Sequence, residues 1–244
     1  EPTCRSNKWE TAMSDEPFRA NLVDMDVADR RAQRTREILD ATRELFETNG
    51  VGEAQIEDIA NAVGVNRAII YRHFSTKEEL FAMTLVDYLT ELEVRFRSVR
   101  NTDLSALDEL RLIADEFFSF GIDHPAFVDC AQSLLRFRGT ELVDEIRPEP
   151  LVKLGTAMNL CLDHMVQIFE RGTDAGELRI TDPILLSNVL YTQSLGFLNL
   201  VHFQKAIGEL AGGSPVMLDL PVDRVMALAV DAVVAVVSMP FAER

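Results

Sequence analysis

The stretch GVNRAIIYRHFSTKEEL, residues 64–80, places Arg67, Tyr71, Arg72, His73 and Lys77 close together. On a helix, these side chains suit a nucleic acid. An Arg can pair bidentately with the major-groove edge of guanine. Tyr and Lys reach backbone phosphates, which position the protein without reading sequence. The surrounding chain is unfavourable to DNA: 40 acidic residues stand against 24 basic ones, a net charge of −16. The acidity is uneven. Residues 30–77 hold eight Arg/Lys and seven Asp/Glu, a net of +1, which leaves −17 for the rest. This balance excludes a protein that coats nucleic acid generally and confines any contact to one local patch.

The elements that must position this patch follow from spacing. Taking Ile56 as position one, Ile59 and Ala60 fall at four and five, Val63 at eight, Gly64 at nine, Val65 at ten and Ile70 at fifteen. A helix-turn-helix needs a small residue where its helices cross and a glycine that turns with positive φ. Ala60 and Gly64 meet those needs, and Asn66 can cap the second helix. With Ile56, Ile59, Val63, Val65 and Ile70 buried, Arg67, Ala68, Ile69, Arg72 and His73 face outward. Ile69 can touch a thymine methyl group. Tyr71 and Lys77 sit where phosphates would lie, and the basic run Arg30, Arg31, Arg34 and Arg36 can reach a neighbouring phosphate or minor groove. Spacing alone leaves an alternative open: two short helices joined through Gly are common, and a solvated basic face would need the same residues.

The remaining chain reads as helix, with apolar residues recurring near a period of 3.6 and no run alternating with period two. Residues 1–29 lack periodicity and are expected to form a disordered tail, with Met13 and Met25 both available as natural starts. Helices are expected at 30–48, ending on Asn49-Gly50, and at 56–63, 67–73 and 76–99, the last capped by Ser75 with Glu78 completing a capping box. Five more are expected at 103–121, 125–137, 147–171, 183–206 and 222–238, punctuated by His124-Pro125 and by RPEP at 147–150. The segments 173–183 and 208–221 read as loops. The stretch VMALAVDAVVAVVSM (225–239) is too short to span a bilayer and contains Asp231. Cys4, Cys130 and Cys161 form no CxxC pair, which fits buried thiols in a reducing compartment. A cytoplasmic protein with no membrane segment is expected.

The segment ILDATRELFETNGVGEAQIEDIANAVGVNRAIIYRHFSTKEELF resembles the N-terminal domain of the tetracycline-repressor (TetR) family of bacterial transcription regulators. The likeness runs over residues 36–85 and is carried by Phe46, Gly50, Ile59, Ala60, Gly64, Val65, Ile70, Tyr71, His73, Phe74, Lys77, Glu78 and Leu80. It departs from the family at Ala54 and Gln55, where Thr or Ser is usual. It departs also at Ala68-Ile69, where Gly-Thr is frequent, and at Glu57, where a basic residue is frequent. The resemblance implies an all-α fold of about nine helices, with a helix-turn-helix domain at 30–80 and a larger ligand-binding and dimerisation domain at 81–244. The implied partners are double-stranded operator DNA, a small apolar effector and a second copy of the chain. DNA contact falls to Arg34, Gln55, Asn66, Arg67, Ala68, Ile69, Tyr71, Arg72, His73 and Lys77. The last two helices would form the dimer bundle through Leu190, Ser194, Phe197, Val201, Val230, Val233, Val234 and Val237, with Gly196 allowing close approach. The pocket would be lined by Phe117, Phe120, Phe127, Leu134, Phe137, Met158, Cys161, Leu162, Met165, Phe169, Tyr191 and Leu195, with Phe118 and Phe197 also in view. Arg136 and Arg138 could meet an anionic head group. Ligand binding would shift the populations of DNA-binding and released states.

Other functions have weaker footholds. No Gly-rich phosphate loop, GxSxG or HExxH motif appears, so no enzyme is expected. A metal-sensing regulator could be built only if His124, His164 and His202 converged with Asp129 or Cys130. A redox-sensing one would need Cys130 and Cys161 to pair. A helical carrier without DNA function would leave residues 64–80 unexplained. No cofactor and no metal are expected, and the reading is a ligand-responsive regulator acting as a repressor.

Overall fold

In the computed structural model, residues 16–52, 54–137, 139–209 and 215–238 are described. Within them the chain forms ten helices and one hairpin. α1 (Glu16–Asn49) is 34 residues long, or about 51 Å at 1.5 Å per residue. The expected tail over 1–29 is thereby corrected from Glu16 onward, and residues 1–15 lie outside the described residues. Pro17 falls in the first turn, where its missing N–H is harmless, and no Gly or Pro follows until Gly50. Gly50, at φ 80°, ends the helix.

α2 (Ile56–Val63) and α3 (Arg67–His73) make the helix-turn-helix, with Gly64 at φ 71°. α4 (Lys77–Val99) is the spine. A small core of Ile38, Leu39, Ile56, Ile59, Ala60, Ile70, Phe74 and Leu80 lies on one side of it. The larger core begins at the next residue, Phe81, whose ring meets Phe46 edge-on at 5.0 Å. The cap of α4 is Thr76, which accepts from the Glu79 N–H at 3.0 Å. The expected cap, Ser75, donates instead to the Glu79 carboxylate at 2.6 Å. Both hydroxyls can cap, and the second one in sequence is in register with the helix.

The body comprises α5 (Ala106–Asp123), α6 (Pro125–Leu135), α7 (Gly139–Glu145), α8 (Pro148–Asp174), α9 (Pro183–Phe203) and α10 (Val222–Ser238). α4 and α8 form the most extensive helix pair. α7 was not foreseen. Two elements contradict the expected loop between the last helices: β1 (Lys205–Glu209) pairs antiparallel with β2 (Pro215–Asp219), Ile207 opposite Met217. Each strand is five residues long, and β2 is exposed at all but one position, so burial imposes no alternating pattern on it. Gly172 is where α8 presses on α5: a Cβ there would lie 2.6 Å from the Ala106 methyl.

Candidate nucleic-acid interface and ligand cavity

The exposed face of α3 is built by its caps. Asn66 accepts from the Ile69 N–H at 3.1 Å, fixing the helix start, and Ile70, 1% exposed, anchors the opposite face. Arg67, Ala68, Tyr71 and Arg72 are consequently exposed, while Ile69 is half-buried. Gln55 lies exposed at the start of α2, its N–H donating to Asp58 at 3.1 Å.

Three expected contacts face elsewhere. His73 is half-buried and its Nδ1 lies 2.8 Å from the Thr35 hydroxyl of α1. Burial, and then Arg31, Arg72 and Arg34, hold its imidazole below the ordinary value, so it adds no positive charge at neutral pH. Lys77 donates to the Ala54 carbonyl at 3.3 Å and lies over the Phe81 ring. Both are tied into the unit because the turns on either side of α3 bring them against α1 and the α2 start. Arg34 pairs with Glu37 at 2.8 Å, and the basic run that includes it is part of α1 rather than a free arm.

A second feature was not legible in the sequence. Glu79, at 0% exposure, is held by Arg147, which stands just before α8. Arg147 Nε donates to both carboxylate oxygens at 3.0 and 2.9 Å, and Nη2 reaches Oε1 as well. The same Nη2 donates to the carbonyl of His73, the last residue of α3, at 2.7 Å. Thr76 Oγ1 adds a bond to the Glu145 carbonyl at 2.7 Å. Thus the α7–α8 junction grips the end of α3 and the start of α4. Burial alone would raise the Glu79 carboxyl, but Arg147 and Ser75 overcome it and hold it below its ordinary value.

α8 also lines a partly open cavity, whose empty space is about 580 Å³ when the part open to solvent is included. Of the expected lining, Phe117, Met158, Cys161, Leu162, Met165 and Tyr191 are there. Phe120, Phe127, Leu134, Phe169 and Leu195 are packed core instead, and Phe137 is half-buried away from the cavity. Tyr88, His124 and Phe127 ring Phe120, an aromatic cluster that fills its own space. Leu89, Leu92 and Phe96 of α4 and Leu110, Ile113 and Ala114 of α5 complete much of the wall. They were missed because a cavity-lining aliphatic side chain looks like any core residue in sequence.

The expected dimer residues are corrected in the same way. Leu190, Ser194, Val201, Val230, Val233, Val234 and Val237 are buried within the protomer, and Phe197 is half-buried. Leu190, Ser194 and Val233 line the cavity. The exposed stripe of α9 is another face: Ile184, Leu185, Val189, Leu200 and Phe203, with Leu228 exposed on α10. Gly196 lies on that open face with nothing within 4 Å of a Cβ built there. By length and composition α9 could cross a membrane, yet its other face packs into the core.

The histidines do not converge, and among the described residues no three His, Cys, Asp or Glu could hold a metal. His124 meets Glu47 at 3.1 Å, His164 meets Arg100 at 3.2 Å and His202 meets the Gly121 carbonyl at 3.2 Å. Cys130 and Cys161 are both buried and unpaired. Burial pushes both thiols up, Cys161 to about 12, the opposite of a reactive cysteine. Arg136 is exposed, and Arg138 lies outside the described residues.

Comparison with known proteins places this geometry. Residues 38–83 match the model described as bacterial regulatory proteins, tetR family. The transcriptional activator FasR of Mycolicibacterium smegmatis is 27% identical over 152 residues, 62% of this chain and 66% of the relative. The chain spans no more than about two thirds of the length of the curated relatives it matches. A tetR-family regulatory protein from Rhodococcus RHA1 shares the fold at TM-score 0.59 and 17% identity, covering 85% of this chain and 98% of that one. FadR of Bacillus subtilis, solved with stearoyl-CoA, does so at TM-score 0.56 and 19% identity, covering 82% and 96%. The helix-turn-helix segment is thus that of the tetR family of bacterial regulatory proteins, and the helical body shares the fold of those structures.

Proposed function

We propose that the protein is a homodimeric, cytoplasmic transcriptional repressor that leaves its operator DNA when an apolar small molecule enters the cavity. Residues 30–80 serve as the DNA-binding unit and residues 81–244 as the ligand-binding and dimerisation unit. The observation that carries this reading is the outward face of α3, where Arg67, Ala68, Tyr71 and Arg72 are exposed on a helix pinned at both ends. Arg67 reads a base edge, Tyr71 and Arg72 meet phosphates, and Gln55 meets the backbone beside them. His73 and Lys77 support the unit from within. The exposed stripe of α9, with Gly196, meets its counterpart in a second copy. The two α3 helices then lie about one DNA turn (~34–36 Å) apart over a near-palindrome. Support for an apolar effector comes from the uncharged cavity lining and from the apolar stearoyl chain of the stearoyl-CoA with which FadR was solved. FasR is named as an activator, so the direction of control is read from a reporter gene.

The test is fluorescence anisotropy with DNA from upstream of the protein's own gene, at several salt concentrations. Tight binding is expected, falling steeply with salt. Arg67→Ala should weaken it by about 1–3 kcal/mol and relax specificity at one base pair. Tyr71→Ala should weaken it similarly on all sequences. No binding at low salt to this DNA or to a library of genome fragments would overturn the reading.

A further inference from the structure

The cavity wall carries more chemistry than its apolar character suggests. It is walled by α4, α5, α8, α9 and α10, and not one of its lining residues is charged. Two lining residues bear hydroxyls, Tyr191 at 9% exposure and Ser194 at 6%. Neither hydroxyl has a hydrogen-bond partner among the described residues. Nor is either sealed by packing, because Arg171 Nε is the one fully enclosed side-chain polar atom without a partner there. The third polar lining atom, Cys161 Sγ, is committed to the Leu89 carbonyl at 3.3 Å. The Tyr191 ring is fixed edge-on to Phe117 at 6.2 Å, so its hydroxyl is held in place. Ser194 lies just under one turn further along the same helix.

We infer that the cavity takes an uncharged, largely apolar molecule with one oxygen or nitrogen that Tyr191 and Ser194 engage by hydrogen bonds. Both hydroxyls face the cavity with bonding capacity that the protein leaves unused, and a ligand must engage them when it displaces the space around them or leave them unsatisfied. An ionised head group has the opposite balance, since a buried charge needs a counter-charge. Arginines at the ends of α4 and α8 already have carboxylate partners. Arg100 pairs with Glu109 at 2.5 Å, Arg171 pairs with the same carboxylate, and Arg97 pairs with Glu93. Burial pushes the Tyr191 phenol up, so it stays a neutral donor and acceptor. Alcohols, ketones and esters on an apolar frame are the matching chemistry. The inference rests on the proposed reading only in assigning a regulatory result to binding.

Two dyes that differ by one charge provide the test: N-phenylnaphthylamine, and anilinonaphthalene sulfonate, which adds a sulfonate to the same frame. The neutral dye should bind saturably with enhanced fluorescence, and the sulfonate at least about tenfold more weakly, because its charge would lose water without a counter-ion. Tyr191→Phe and Ser194→Ala should each weaken the neutral dye by about three- to tenfold while leaving thermal melting in place. Equal or tighter binding of the sulfonate would overturn the inference. So would neutral-dye affinity untouched by both variants, or no dye binding at all. If the neutral dye binds as described yet never releases DNA, the inference stands and the regulatory reading fails. If only anionic ligands release DNA, the reading stands and the inference fails.

Discussion

Glu79 is a carboxylate with no exposure, held by a guanidinium that is half in water. Its value in the folded protein lies below the ordinary 4.5. It therefore contributes stability above pH 4.5, and that contribution is lost as pH falls through its folded value. Glu79→Gln should lower stability at neutral pH by up to about 3 kcal/mol, the lower part of the range for breaking a buried pair. The gap to the parent protein should close on acidification, as read by thermal melts across pH. Cys161 makes the complementary case. Its thiol, pushed up to about 12, should resist alkylation in the native protein and react only on unfolding, as mass spectrometry would count. Neither environment was legible locally. Glu79 reads as one of two ordinary acids in KEEL, and its partner lies 68 residues away. Asn66 was legible, because a capping role is written in the residues on either side of it.

At the scale of elements, the α7–α8 junction stands between the cavity and α3. α8 contributes Met158, Cys161, Leu162 and Met165 to the cavity, and Arg147 before its first turn grips Glu79 and the His73 carbonyl. A ligand that displaces α8 would pull on the end of α3. Arg147→Ala should leave ligand affinity nearly intact yet reduce the ligand's effect on operator binding, measured as the ratio of DNA affinities with and without ligand. Arg147→Lys should not rescue it, because an ammonium cannot hold two carboxylate oxygens and a carbonyl at once. The helices themselves were readable from period and punctuation: α2, α3 and α10 lie where the pattern put them. The faces were not. α9 is apolar nearly all round, so sequence could not tell the side facing α5 and α8 from the side left open. Leu190 and Ser194 proved interior, and Val189 and Phe203 exterior.

For the molecule as a whole, that distinction gives a direct test of assembly. Val189→Glu and Leu185→Glu fall on residues 49% and 60% exposed in the protomer. They should leave the fold intact and yield monomers in sedimentation. Leu190→Glu, at 1% exposure, should unfold the chain instead. If the exposed variants sediment like the parent protein, α9 is not the dimer face. Chain order gives the Arg147 grip a temporal meaning too. A polypeptide leaves the ribosome N-terminus first, and domains fold as they emerge. The small core that shapes α2 and α3 is complete at Leu80, whereas the side chain that pins the end of α3 is residue 147. A growing chain thus displays its recognition helix before it can fasten it, and it acquires a fastened one only when the start of α8 has been made. Copies that stop short of residue 147 lack the side chain that holds the end of α3.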